Sequence, residues 1–339
     1  MKVALDAQLS VGSATGIGEY VRGLEAALRE EGADVVALCE PRLDPWRFDR
    51  RLLWDQVLLP RRARRSGAEL LHCASGTMPL RCPLPSVVTV HDVAWLRVQH
   101  HTRWYARRYF GPFSLARYRH AAAIITDSVF SRDELLDVLP ALDPARVHAI
   151  YPGVASAFGG VVRQPDRRTI LVVGSVEPRK NLAHLVRLLP RLPQARVVSV
   201  GPATPYLQAC RRVAEDLGVA ARFEFHGYVT REALMALYAS AAVAAVPSFY
   251  EGFGYAAAQA LCAGLPCVVS DRASLPEVAG DDAPVLPLED EDGWSEALAR
   301  ALAGNDDAHA ASARARCAGR FSWAQAAHTT RSVYESVDG

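Results

Sequence analysis

Short apolar runs alternate with amphipathic stretches from one end of the chain to the other. Runs with the length and β-branched content of buried strands are Val3–Leu5, Val35–Leu38, Leu70–His72, Val87–Val90, Ala123–Thr126 and His148–Tyr151. A second series follows at Thr169–Val173, Arg196–Val200, Arg222–His226, Ala242–Val246, Cys267–Ser270 and Ala283–Leu286. Between them, helical spacing of apolar residues marks Glu19–Glu30, Ser131–Leu139, Asn181–Leu188, Leu207–Leu217, Arg231–Ser240 and Tyr255–Ala263. Strand–helix alternation of this kind builds parallel sheets covered on both faces. The fold class expected is therefore α/β, with two Rossmann-like doubly wound domains and a hinge near residues 152–168. The boundaries expected are 1–160 and 161–320, with a helical tail at 321–339 that has no sheet of its own to cover. Ligands of such sheets bind at the carboxyl ends of the strands, so the loops after each strand are where chemistry is sought.

Composition agrees and narrows the class. At 339 residues the chain has room for two cores at roughly 150 residues per domain. Half of it is hydrophobic and 22% charged, which excludes a disordered chain, and 21 scattered prolines exclude one long coiled coil. Basic and acidic residues number 38 and 37, a balance that argues against a nucleic-acid coat protein. Only two of the basic residues are lysines, Lys2 and Lys180. The seven cysteines form no C-x-x-C pair, so no zinc knuckle or redox pair is expected. Asp6 interrupts the N-terminus before any apolar leader, and the apolar stretch Ala233–Pro247 is too short to span a bilayer. The expected location is cytoplasmic.

The first strand is followed by Gly12-Ser13-Ala14-Thr15-Gly16-Ile17-Gly18, ahead of a helix expected from Glu19. The spacing resembles the cofactor loop of short-chain dehydrogenases. Those enzymes need a tyrosine four residues before a lysine, and the residue four before Lys180 is Val176, so that reading fails. What remains is a turn requiring positive φ, or a loop whose Gly16 and Gly18 touch a phosphate or an acceptor.

The second series opens with a strand leading into Gly174-Ser175-Val176-Glu177-Pro178-Arg179-Lys180-Asn181. Two adjacent cations just before a helix suit a diphosphate, although an ordinary solvated turn has the same look. Lysine is otherwise almost absent, so Lys180 points to a need for a compact ammonium. A stronger pattern is Pro247-Ser248-Phe249-Tyr250-Glu251-Gly252-Phe253-Gly254-Tyr255, running into a helix that carries Gln259. Its glycines free backbone N–H groups at a helix start, and its carboxylate can accept from sugar hydroxyls.

Together these loops resemble the family-4 retaining glycosyltransferases of the GT-B architecture. The resemblance extends through Gly16-Ile17-Gly18-Glu19-Tyr20, Val90-His91-Asp92, Thr126-Asp127-Ser128, Tyr151-Pro152-Gly153-Val154 and Phe321-Ser322-Trp323. It implies two domains facing a cleft, the acceptor on the first, a nucleotide diphosphate sugar on the second, and a last helix crossing back onto the first. It also implies roles. Arg179 and Lys180 would neutralise the diphosphate, Glu251 would hold the donor sugar, and His91 would face that sugar. Gly174, Ser175, Tyr228, Val229, Gly252, Phe253, Gly254 and Gln259, with Gly16 and Gly18, would complete the donor-binding set. The sequence departs from the family at Gln259, where a second glutamate usually grips the ribose diol. Glutamine keeps an acceptor oxygen but loses the charge.

The resemblance implies no metal. The tempting Asp290-Glu291-Asp292 motif lies before the helix Trp294–Leu302, where acids favour the helix dipole. The activity implied is hexose transfer with retention, mannose from GDP-mannose being favoured, to a lipid-linked or cell-envelope glycan precursor. Same-fold epimerase or hydrolase chemistry, or non-catalytic nucleotide-sugar binding, are the alternatives. Residues 42–119 carry fifteen arginines against five acids, interleaved with Trp104, Tyr105, Tyr109, Phe110, Phe113 and Tyr118. That mixture fits an anionic membrane surface, a single-stranded nucleic acid, or a solvated face over core aromatics. The resemblance favours peripheral attachment to the membrane's inner face and no nucleic-acid partner.

Overall fold

A computed structural model describes residues 1–12, 16–98, 104–154 and 156–338. The chain divides into two compact units, one of Met1–Gly153 with Phe321–Gly339 and one of Val154–Arg320.

In the first unit, β1 (Lys2–Asp6), β2 (Asp34–Leu38), β3 (Leu70–Cys73), β4 (Ser86–Val90), β5 (Ala123–Thr126) and β6 (Val147–Ala149) form one parallel sheet in the order 2-1-3-4-5-6. The second unit repeats the plan. There β7 (Asp166–Val173), β8 (Arg196–Val200), β9 (Phe223–Phe225), β10 (Ala241–Val246), β11 (Cys267–Ser270) and β12 (Val285–Leu286) lie in the order 12-11-10-7-8-9. Every strand pair is parallel, and β3, β4, β5, β10 and β11 are buried along their whole length, as sheets covered on both faces require. This is the doubly wound α/β class read from the apolar runs.

Strand order locates the sites. Chain direction across the sheet reverses between β1 and β3 in the first unit and between β7 and β10 in the second. Such switch points open a crevice at the strands' carboxyl ends. The loops that leave there include Gly174–Asn181 after β7, Pro247–Gly254 after β10, and Ala74–Thr77 after β3.

Helix α1 (Gly16–Glu30) begins at Gly16 and not at Glu19, so Gly16 and Gly18 lie within its first turn; Ser13–Thr15 are outside the described residues. Of Gly12, Gly16 and Gly18, only Gly12 has positive φ, at 85°. Tyr20, Val21, Leu24 and Leu28 turn one face of α1 into the core. Each fully buried Leu or Val contributes roughly 1.5–3 kcal/mol, which outweighs glycine's poor helix propensity of about 1 kcal/mol. The last helix, Trp323–Asp338, packs on the same face through Ala326, Ala327, Val333 and Tyr334. Its Trp323 indole lies so close to Gly23 and Gly153 that a Cβ on either glycine would overlap it. That fit joins the tail to the first unit, which explains a helix without a sheet to cover.

Candidate functional site

The second unit brings Gly174, Ser175, Lys180 and Glu251 into one recess, lined also by Val172, Ser199, Pro247 and Ser248, with Arg179 beside Glu251. The local backbone explains the placement. Pro178–Lys180 form a single 3-10 turn, and Asn181 then takes a left-handed conformation (φ 52°, ψ 38°) before the helix Leu182–Leu188. Asparagine is among the few side chains that tolerate that region, so it breaks the helix where the two cations must stay at the strand end. Gly174 (φ 135°) and Gly201 (φ 141°) meet backbone to backbone, and a Cβ on Gly201 would strike the Gly174 carbonyl. The tip of the Lys180 side chain lies over Gly174.

Four charges balance in the recess. Lys180 Nζ donates to both Glu251 oxygens, at 2.5 and 2.6 Å, and Ser248 Oγ donates to Glu251 Oε1 at 2.7 Å. Arg179 Nη1 lies 3.6 Å from Glu251 Oε2, and Arg179 Nε donates to Glu177 Oε2 at 2.9 Å. Ser175 Oγ donates to Glu177 Oε1 at 2.7 Å. Burial raises the Glu251 pKa, but Lys180, Arg179 and Ser248 more than reverse this and hold it below the usual carboxylate value. Glu177 is likewise lowered, as Arg179 and the Ser175 hydroxyl outweigh its burial. The backbone is tied as tightly: Phe249 N donates to Arg179 O (2.7 Å) and Ser274 Oγ to Glu251 O (2.9 Å). An ammonium has three N–H donors. Two of Lys180's are engaged by Glu251, and among the described residues the third has no acceptor.

Gly252 and Phe253 lead to Gly254, whose left-handed φ of 95° starts the helix Tyr255–Cys262. Gln259 stands on that helix, but its Oε1 already accepts from the Tyr238 hydroxyl at 3.0 Å. Tyr228, 56% exposed, and half-buried Val229 lie on the next loop of the same sheet edge, where Gly201 N donates to Gly227 O at 2.8 Å.

His91 belongs to the first unit, at the end of β4. Its Nδ1 lies 2.7 Å from Asp127 Oδ2 and its Nε2 3.1 Å from the Ala74 carbonyl. The Tyr20 ring stands edge-on to it with centroids 4.9 Å apart. Asp127 was not among the residues expected to act, although the β4–β5 register foretells the pair: Val90 faces Thr126, so the next residues emerge side by side. Asp92, beside His91, accepts from Ala94 N at 3.0 Å and turns the chain into a short helix.

The acidic motif near residue 290 has structural partners. Asp290 caps the helix Glu291–Leu302 by accepting from Gly293 N at 2.9 Å, and Asp292 pairs with Arg191. The arginine-rich region divides in two. Arg51 is buried against Asp55 (2.9 Å), Arg62 pairs with Glu40, Arg97 with Glu134 and Asp137, and Tyr109 and Tyr118 are core residues. Trp46, Leu80 and Trp104 are 55%, 57% and 71% exposed, and Trp95, Leu96, Trp104, Arg107, Arg108 and Pro112 line a groove. Arg103 lies outside the described residues. Among the described residues no helix is long and apolar enough to cross a membrane.

Comparison with known proteins bears on the fold and the family. The family Glycosyl transferases group 1 matches residues 158–317, and Glycosyltransferase Family 4 matches residues 14–158. An MMP alpha-(1->4)-mannosyltransferase of Mycolicibacterium hassiacum is 30% identical over 285 residues, 80% of this chain and 68% of that protein. A D-inositol 3-phosphate glycosyltransferase of Mycobacteroides abscessus is 32% identical over 230 residues, 63% of this chain; the match spans only 52% of the relative's length. Among solved structures, a sucrose-phosphate synthase from Thermosynechococcus elongatus superposes with a TM-score of 0.76 at 22% identity, covering 100% of this chain and 99% of that one. The fold is thus that of the GT-B glycosyltransferases, and the chain belongs to the group 1, family 4 glycosyltransferases.

Proposed function

We propose that this chain transfers a hexose from a nucleotide diphosphate sugar to an acceptor hydroxyl, with retention and without a metal. The observation that carries the reading is Lys180. Its ammonium is fixed by Glu251 over Gly174 at the end of β7, with one N–H, among the described residues, left for a phosphate oxygen. Arg179 adds a second cation, and the helix that starts after Gly254 adds the positive end of its dipole. Positive charge placed where the diphosphate leaves is the main way such a site lowers a barrier. Glu251, held ionised, accepts from the sugar hydroxyls. Carboxylates on both sides of the anomeric carbon are not needed if the departing diphosphate itself takes the acceptor proton.

Mannose from GDP-mannose is the donor we favour, because a mannosyltransferase is a relative over most of its length. A phosphate-bearing or lipid-linked acceptor is favoured by the relative that acts on D-inositol 3-phosphate and by exposed Trp46, Leu80 and Trp104 among arginines. The test is a thermal-shift screen of GDP, UDP, GDP-mannose and UDP-glucose, since a ligand of the folded state raises its melting temperature by mass action. Product analysis with the best donor then follows. Stabilisation by none of the four would overturn the assignment.

One observation favours a second reading, non-catalytic binding: Gln259 supplies no charge to a ribose, and its oxygen is engaged by Tyr238. Donor binding without turnover across a broad acceptor panel would select it, and sugar release or conversion without an acceptor would mark a hydrolase or epimerase.

A further inference from the structure

The two ring nitrogens of His91 face two groups that accept hydrogen bonds. A peptide carbonyl, here Ala74, can only accept, and an ionised carboxylate, here Asp127, can only accept. Both nitrogens must then carry a proton. We infer that Asp127 holds His91 as an imidazolium with both N–H bonds turned into the protein, so that His91 serves the transfer as a fixed cation and never as its base. The protonation state stands on geometry alone; its use in catalysis rests on the function proposed above.

The surroundings favour the same state. Asp127 is buried, and its Oδ1 has no hydrogen-bond partner among the described residues, so the imidazolium compensates that carboxylate. Asp92, the next residue in the chain, adds negative charge. The other titratable neighbour is His72 on β3, buried with Nε2 2.8 Å from Thr89 Oγ1 and Nδ1 2.6 Å from the Tyr334 hydroxyl. Burial and the charge of His91 push the His72 pKa down to about 3, so it stays neutral. Burial alone would also lower the His91 pKa; the Asp127 charge and hydrogen bond, with the Ala74 carbonyl and Asp92, carry it upward on balance.

Asp127 is thereby a positioning residue. With His91 already protonated, the acceptor's proton needs another destination. In the proposed transfer the bond from the anomeric carbon to the diphosphate breaks with its electron pair on the diphosphate, the bond to the acceptor oxygen forms, and the acceptor's proton passes to a diphosphate oxygen.

The test is nitrogen-15 NMR of histidine-labelled full-length protein, with His91→Gln used to assign the resonance. At pH 7 both His91 nitrogens are expected to report as protonated, with a midpoint above the ordinary value of about 6.5. Asp127→Asn should lower that midpoint by about one to three units. If that variant does not fold cooperatively, Asp127→Glu, which keeps the charge and moves it, should shift the midpoint less and in the same direction. In turnover, Asp127→Asn should move the alkaline loss of kcat to lower pH with donor KM unchanged, and Asp127→Glu should restore part of it. An unprotonated His91 nitrogen in the wild type at pH 7, or a midpoint that neither Asp127 variant moves, would overturn the inference. Because the spectrum needs no substrate, it decides this point even if no transfer is found.

Discussion

The two units carry two partly buried ion pairs of opposite design. In the pair His91–Asp127, each cationic N–H is engaged within the protein, by Asp127 and by Ala74. In the pair Lys180–Glu251, two of three N–H bonds are engaged and Arg179 stands 3.6 Å behind, so the carboxylate is shared and the ammonium has capacity for another anion. A planar ring with two donors can be saturated by a fold; an ammonium with three is harder to saturate. One unit thus carries a saturated cation and the other, in the proposed function, a cation that binds the donor. That difference gives a physical reason for a lysine at position 180 in a chain that otherwise uses arginine almost exclusively.

The largest effect that would break this contrast is at Lys180. Lys180→Ala should lower kcat at least about a hundredfold, the scale seen when a single electrostatic donor is removed. Arg179 and Ser248 still serve Glu251 in that variant, so a cooperative melt should persist. Near wild-type turnover would mean that the ammonium binds nothing that reacts.

Acid stability sharpens the contrast next. The Glu251 pKa is lowered in the folded protein, so its contribution is present above the unfolded carboxylate value and lost as pH falls through the folded one. His91 is the reverse case: its raised pKa gives stability that is whole below about 6.5 and lost as pH rises through the folded value. Melting temperature against pH should flatten on the acid side in Glu251→Gln and on the alkaline side in His91→Gln. Parallel profiles for wild type and both variants would contradict the assignment of either pair.

Smaller effects test the edges of the site. Gln259→Glu keeps an acceptor for the Tyr238 hydroxyl and supplies a second, charged oxygen, so the donor Kd should tighten by about fivefold, one added hydrogen bond's worth. Unchanged or weaker affinity would remove Gln259 from the ribose contact. Trp104→Ala should reduce flotation with anionic vesicles by a few-fold while leaving nucleotide binding alone, since an aromatic anchor and arginines act together at an interface. Equal flotation with neutral vesicles would leave the exposed aromatics without a membrane role.

Much of this was legible in the sequence because parallel, doubly covered strands appear as unbroken apolar runs, and each of the twelve runs overlaps a strand. The loops after β7 and β10 were legible for the same reason: cations, carboxylate and glycines immediately follow those runs. What the sequence hid were facts of register and burial. The start of α1 was misplaced because Gly16 and Gly18 read as loop, whereas packing of Tyr20 and Leu24 determines the helix. Arg51 looked like part of a basic surface and is a core residue paired with Asp55. Asp127 stood in plain view in Thr126-Asp127-Ser128, but its meaning depends on which residue of β4 it faces. Likewise Glu177 is two residues from Arg179 and becomes its hydrogen-bond partner only through the 3-10 turn.

The central claim is that the third N–H of Lys180 receives the donor's diphosphate, and calorimetric titration tests it most directly. GDP and GMP are titrated into wild type and Lys180→Ala, with UDP and UMP substituted if the uridine pair proves to be the ligand. The account predicts that the variant loses at least about tenfold in diphosphate affinity, as expected for one charge-assisted hydrogen bond, while the monophosphate changes little. Equal diphosphate affinity in the two proteins would contradict it.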